Sequence, residues 1–282
     1  MDYGRAVEFG VFLTPDASQP EQLLALAALA DELGFDLIGV QDHPYQRRFF
    51  DAWTLITAIA MRTQKIKVLP DVINLPLRPP AILAKAAASL DLLSGGRLEL
   101  GLGAGGSFDW IKAIGGPVRT RGESVDALEE AIHVIRLMWS GERAVHFDGK
   151  FYQLAGVQTG PKPQHPIGIW LGAYKPRMLS LVGRAADGWL PSFGYVKPAD
   201  LLEGNRRIDD AAAEAGRDPL AIRRILNAGA DLPVDLLVSL TLEHGMDTYV
   251  IGGVEDPEAM RWFATDVIPA VREAVDKARG SR

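Results

Sequence analysis

The 282-residue chain contains no cysteine, which excludes disulfides, thiolate nucleophiles, iron–sulfur clusters and cysteine-rich zinc ribbons. It has little that could hold a membrane. Its longest apolar runs, such as Leu23 to Ala30, stop far short of the roughly 20 residues a spanning helix requires, and Met1 to Gly10 lacks the apolar core of a signal peptide. No excess of basic charge is present either. The 30 Lys and Arg against 36 Asp and Glu leave a net charge of −6, and the cations are scattered, which argues against nucleic acid as a partner. Neither H-E-x-x-H nor a paired-histidine strand end supplies a metal site, and Asp42, His43 and Asp71 alone make a thin ligand set. G-x-S-x-G is also missing, which removes the usual serine hydrolase. These absences predict a cytoplasmic protein acting on a small molecule, with no metal, membrane or nucleic acid.

What is present is a globular composition, 48% hydrophobic and 23% charged, at a length normal for one α/β barrel. Short β-rich runs alternate with helical patterns throughout. Strands are predicted over Val7–Thr14, Phe35–His43, Ile66–Asn74, Leu98–Leu102, Gly168–Gly172, Gly188–Pro191, Ile222–Asn227 and Tyr249–Gly252. Between them, helices are predicted over Pro20–Leu33, from an Asp51 cap through Arg62, over Pro80–Leu93, around Val125–Trp139, and over Pro176–Ala185 and Pro198–Ala215; a last one starts at Pro257. Asp148-Gly149 marks a hairpin over Val145–Leu154, outside the alternation. Eight strands favour a closed (β/α)8 TIM barrel, one domain spanning residues 1–282, over an open doubly wound sheet.

Barrels of this kind build their sites at the carboxyl ends of the strands, so the residues there are the candidates. His43 is the one histidine of five at such an end. It is either a proton-transfer group or the cap of a turn. Gly101 to Gly106 (GLGAGG) has dinucleotide-binding spacing, but Ser107 to Pro117 separates it from the next helix, where a nicotinamide fingerprint needs the helix at once. The glycines read better as letting backbone approach a planar ligand or another strand. Ala173, Tyr174, Lys175 and Arg177 end a strand and open a helix at Pro176, either a phosphate site or a plain helix start with solvated cations.

Laid end to end, Val40–Tyr45 (VQDHPY), Asn74–Pro80 (NLPLRPP), Ala84–Asp91 (AKAAASLD), Leu93–Gly105 (LSGGRLELGLGAG) and Gly183–Trp189 (GRAADGW) resemble the luciferase-like flavin-dependent oxidoreductases, TIM barrels that bind FMN or the deazaflavin coenzyme F420. The resemblance implies that Asp42 and His43 lie beside the ring, with His43 the catalytic candidate. It implies a backbone bulge behind the ring at Asp71, Val72, Ile73 and Asn74, with a cis peptide bond in the deazaflavin branch and Asn74 meeting the pyrimidine edge. Gly103 and Gly105 would flank the ring, and phosphate would lie near Ala173, Tyr174 and Lys175. The family's usual form is a homodimer.

Two departures shape the expectation. Where sugar-phosphate dehydrogenases of this family carry a glutamate after the fourth strand, this chain has Gly106 and Ser107, which speaks against that substrate class. The stretch Gly229–Val234 is also short where light-emitting relatives have a long insertion, implying an open site and no light emission. Coenzyme F420 is the expected cofactor, with FMN the alternative, and the expected reaction is hydride transfer or oxygenation of a small organic substrate. The competing readings are a non-catalytic flavin-binding protein of the same fold and a nicotinamide-dependent dehydrogenase.

Overall fold

In the computed structural model, which describes residues 1–281, the alternation resolves into a ring of parallel strands wrapped by helices. In chain order the elements are β1 (Glu8–Leu13), α1 (Pro20–Glu32), β2 (Leu37–Val40), α2 (Ala52–Arg62), β3 (Lys67–Pro70), β4 (Ile73–Asn74), α3 (Pro80–Ser94), β5 (Leu100–Gly103), α4 (Phe108–Ala113) and α5 (Arg121–Trp139). Then come β6 (Val145–Asp148), β7 (Gln153–Val157), β8 (Ile169–Leu171), α6 (Pro176–Ala185), β9 (Gly188–Trp189), α7 (Pro198–Glu214), β10 (Arg223–Gly229), α8 (Val234–Leu242), β11 (Thr248–Gly252), α9 (Pro257–Trp262) and α10 (Ile268–Gly280).

Pairing runs β3-β2-β1-β11-β10-β9-β8-β5-β4, all parallel. The terminal members β3 and β4 are two halves of one barrel strand, so the ring closes on itself. Val68 bridges Leu98, with hydrogen bonds from Val68 N to Arg97 O (2.8 Å) and from Glu99 N to Val68 O (3.0 Å). The result is the eight-stranded TIM barrel predicted. Leu37, Leu69, Trp170, Leu190, Ile225 and Val250 form a buried cluster of their own in the lumen, capped by Phe12 and Val72, while a larger core lies between strands and helices. A filled lumen is what makes the barrel a rigid platform for its rim.

Three expectations need correction. The third strand is not continuous over Ile66–Asn74. It breaks between Pro70 and Ile73, where the Asp71–Val72 peptide is cis, as the resemblance implied for this stretch. The hairpin turn is longer than Asp148-Gly149, because Glu130 on α5 accepts hydrogen bonds from the backbone N–H groups of Lys150, Phe151 and Tyr152 and holds the intervening loop open. Helices α4 and α8 also went unpredicted. The apolar VDLLVSLTL run of α8 carries no decisive period, and α4 is a single short turn among glycines.

Candidate active site

A cleft of about 570 Å³ opens across the carboxyl ends of β1, β2, the β3–β4 strand, β5, β8, β9 and β10. It is bordered by Asp42, His43, Asp71, Val72, Ile73, Asn74, Gly103, Gly105, Tyr174 and Lys175, so most residues selected from the sequence converge there.

Asp42 is buried, and its carboxylate is fully occupied. It accepts from Arg78 Nε (2.8 Å) and Nη2 (2.9 Å) and from the backbone N–H of Asn74 (3.0 Å). Arg78 also reaches Asp51, the residue that caps α2 through Thr54 N. Burial opposes the guanidinium charge, but the two carboxylates outweigh it and hold the Arg78 pKa above its ordinary value. The Asp42 side chain therefore fixes the broken strand in place instead of facing the cleft as a free acid. Arg78 was missed as a site residue, although it lies in the Asn74–Pro80 stretch.

His43 is half-buried at the rim. Its Nδ1 lies 2.6 Å from the Tyr45 hydroxyl, and the Tyr45 ring stacks on Trp110 of α4 at 6.2 Å between centroids. Burial pushes the imidazole pKa down, against the nearby Asp42 charge, so the ring is held neutral near pH 7 with Nε2 left uncommitted by any side chain.

The floor is formed by the break itself. Val72 packs on the lumen cluster and Ile73 is buried in β4. β5 crosses so closely that a Cβ at Gly101 would collide with the Pro70 carbonyl oxygen and one at Gly103 would lie 2.8 Å from Val72 Cγ2; at Gly105, φ is +83° and a Cβ would come within 2.6 Å of Pro76. These glycines serve strand approach, which removes the dinucleotide-fingerprint reading. Asp71 accepts one hydrogen bond, from Asn227 Nδ2 (3.0 Å), and that amide also reaches Ser192 Oγ (3.3 Å). Asp71 Oδ2, Asn74 Oδ1 and Asn227 Oδ1 are buried without a hydrogen-bond partner. Asn227 and Ser192 both fall at strand ends, yet nothing in the sequence distinguishes them from their neighbours.

At the fifth barrel strand the predicted phosphate group divides. Tyr174 and Lys175 border the cleft, and the Tyr174 hydroxyl accepts from Ser192 N (3.1 Å). Ala173 is buried and spends its carbonyl on Trp189 Nε1 (2.9 Å). Arg177 points to α5, where it pairs with Asp126 and donates to Gly122 O (3.1 Å), and it does not border the cleft.

The family described as luciferase-like monooxygenase matches residues 1–230. The chain belongs to that family. It is 30% identical over 273 residues to a 5,10-methylenetetrahydromethanopterin reductase of Archaeoglobus fulgidus, covering 96% of this chain and 79% of that protein. It is 32% identical over 230 residues to an F420-dependent glucose-6-phosphate dehydrogenase of Nocardia farcinica, covering 78% and 67%. Among solved structures, an F420-dependent secondary alcohol dehydrogenase in complex with an F420-acetone adduct superposes with a TM-score of 0.82 at 21% identity, over 95% of this chain and 99% of that one. As a luciferase-like oxidoreductase, the protein carries Asp42-His43 after β2 and a third strand broken at Asp71–Val72, and the loop after β10 is four residues long before α8 begins at Val234. Among the described residues no helix is long and apolar enough to cross a membrane.

Proposed function

We propose that this luciferase-like enzyme binds coenzyme F420 in the cleft and uses it for hydride transfer to or from a small uncharged organic substrate. The observation that carries the reading is the unmet hydrogen bonding of the floor. Asn74 Oδ1 and Asn227 Oδ1 are buried acceptors without donors beside a wall of glycine backbone, and the N–H-bearing edge of a flat ring supplies what they lack. The names of the Nocardia relative and of the alcohol dehydrogenase above point to the same coenzyme. When bound, the deazaflavin supplies a two-electron hydride carrier; the chain does the rest.

Asn74 and the Asp71–Val72 break would hold the ring, while Lys175 and the Tyr174 hydroxyl would meet the phosphate-bearing tail. His43, neutral and steadied at Nδ1 by Tyr45, would hold or move a proton at Nε2. A second cavity of about 540 Å³ adjoins the cleft and shares Phe12, Ser192 and Asn227 with it. Its lining includes no Lys or Arg and one acid, Asp231, which favours a neutral substrate over a sugar phosphate.

Titration of the purified protein with F420 and FMN in parallel tests the assignment. F420 is expected to bind more tightly, and tighter FMN binding would overturn it. The same reading carries a cytoplasmic location and a homodimer. The dimer is supported by exposed Met61 on α2 and exposed Ile82, Leu92 and Leu93 on α3, and a monomer in analytical ultracentrifugation would refute it.

A further inference from the structure

Two carboxyls border the cleft, and their surroundings differ sharply. Asp42 is bonded to Arg78. Asp71, also buried, meets no cation among the described residues: β10 presents the Asn227 amide to Oδ1, β2 presents Gly39 near Oδ2, and β11 adds Val250 beside Gly39. Ser192, after β9, is linked through Asn227, and Tyr174, after β8, is the titratable group that senses the Asp71 charge. The remaining ionisable side chains bordering the cleft are His43, Lys175, Tyr45 and Tyr195. Desolvation pushes the Asp71 carboxyl up to about 6, against the hydrogen bond from Asn227.

Ionised, Asp71 has one oxygen on a neutral amide and one with no donor at all, so the remaining solvation of its charge comes from water in the adjoining cleft. A ligand that fills the cleft removes that water, and the neutral acid loses far less from the removal than the anion does. We propose that Asp71 couples coenzyme binding to proton uptake: filling the cleft leaves it as a neutral carboxylic acid. The inference rests on the F420 reading above.

The test is calorimetric titration of F420 into wild-type protein and Asp71→Asn between pH 6.5 and 8, in buffers of different ionisation enthalpy. The difference between the two proteins isolates Asp71 from any titration of the coenzyme itself. Wild type is expected to take up as much as one additional proton per site, with its Kd rising by up to about tenfold per pH unit relative to the variant. Equal proton uptake by both proteins overturns the proposal. Should F420 bind neither protein, the coenzyme assignment falls instead, and the same titration with FMN decides the role of Asp71.

Discussion

The two ends of the barrel spend their polar residues differently. At the amino-terminal end, Arg224 is fully buried and bonded to Asp209 Oδ1 (2.6 Å), Asn205 Oδ1 (2.7 Å) and Ile222 O (2.8 Å), with its guanidinium 4.7 Å from the Tyr3 ring. Arg223 beside it joins Glu8, Asp247 and Thr248, and Arg272 joins Asp36. At the carboxyl-terminal end, Asp71, Asn74 and Asn227 each bury an oxygen with no hydrogen-bond partner among the described residues, whereas at the amino end Glu8 Oε2 also lacks one but lies 3.6 Å from the Lys67 ammonium. Unmet hydrogen bonds in a folded interior are costly, and their concentration at one end is what the proposed coenzyme would relieve. On the proposed reading, one rim carries stability and the other chemistry.

The largest expected effect tests the stable end. Arg224→Ala leaves Asp209 and Asn205 without their buried partner and should cost about 3–5 kcal/mol in urea unfolding, the range for breaking buried ion pairs. A loss under about 1 kcal/mol would mean that the amino end is no better anchored than the site. At the other rim, His43→Ala should leave the unfolding midpoint nearly unchanged while lowering turnover by about 10²–10⁴-fold, the usual contribution of a positioned proton-transfer group. Preserved turnover at saturating coenzyme would reduce His43 to a turn residue.

How much of this was legible in the chain follows from the range of the forces involved. The barrel was readable because βα alternation is local and repeats. The expected bulge at Asp71–Asn74 was readable from the resemblance, and the break is there. Roles set by distant partners were not readable. Asp42 stood out as a ring neighbour, yet its carboxylate belongs to Arg78, 36 residues on. Asn227 lay among the strand-end candidates without a role, because only the closed ring brings it to Asp71, 156 residues away in sequence. The hairpin formed where expected, and only its turn length escaped the sequence for the same reason: Glu130, twenty residues earlier, captures the loop amides.

A smaller effect separates the ends by pH. Burial raises Asp71 from an ordinary 3.8 to about 6, so the folded state holds this proton more tightly than the unfolded chain. The sign is opposite to that of an ion-paired carboxylate. The penalty is absent below pH 3.8, grows as pH rises, and is complete above about 6, where it amounts to roughly 2–3 kcal/mol at most. Asp71→Asn removes it, so the variant should gain stability relative to wild type between pH 4 and 7.5 in chemical denaturation. A constant difference across that range would show that Asp71 is solvated in the apo protein.

The smallest effect discriminates between two cations that adjoin in sequence. Lys175 and Arg177 flank the start of α6, and both are exposed, but only Lys175 borders the cleft. Arg177 is turned to α5 by Asp126 and the Gly122 carbonyl. With a net charge of −6, general attraction cannot draw an anionic coenzyme in, so any dependence on a cation must be local. Lys175→Glu should therefore weaken F420 binding by about tenfold, the scale of about 1.4 kcal/mol for one partly solvated charge contact reversed. Arg177→Gln should leave the Kd within about twofold, because its guanidinium is already committed to α5. Both values come from one fluorescence titration series, repeated at high salt, where the Lys175 effect should shrink and the Arg177 variant should stay level with wild type. If instead Arg177→Gln weakens binding as much as Lys175→Glu does, the guanidinium must leave Asp126 when the coenzyme arrives, and the tail crosses the start of α6 on the side that faces α5.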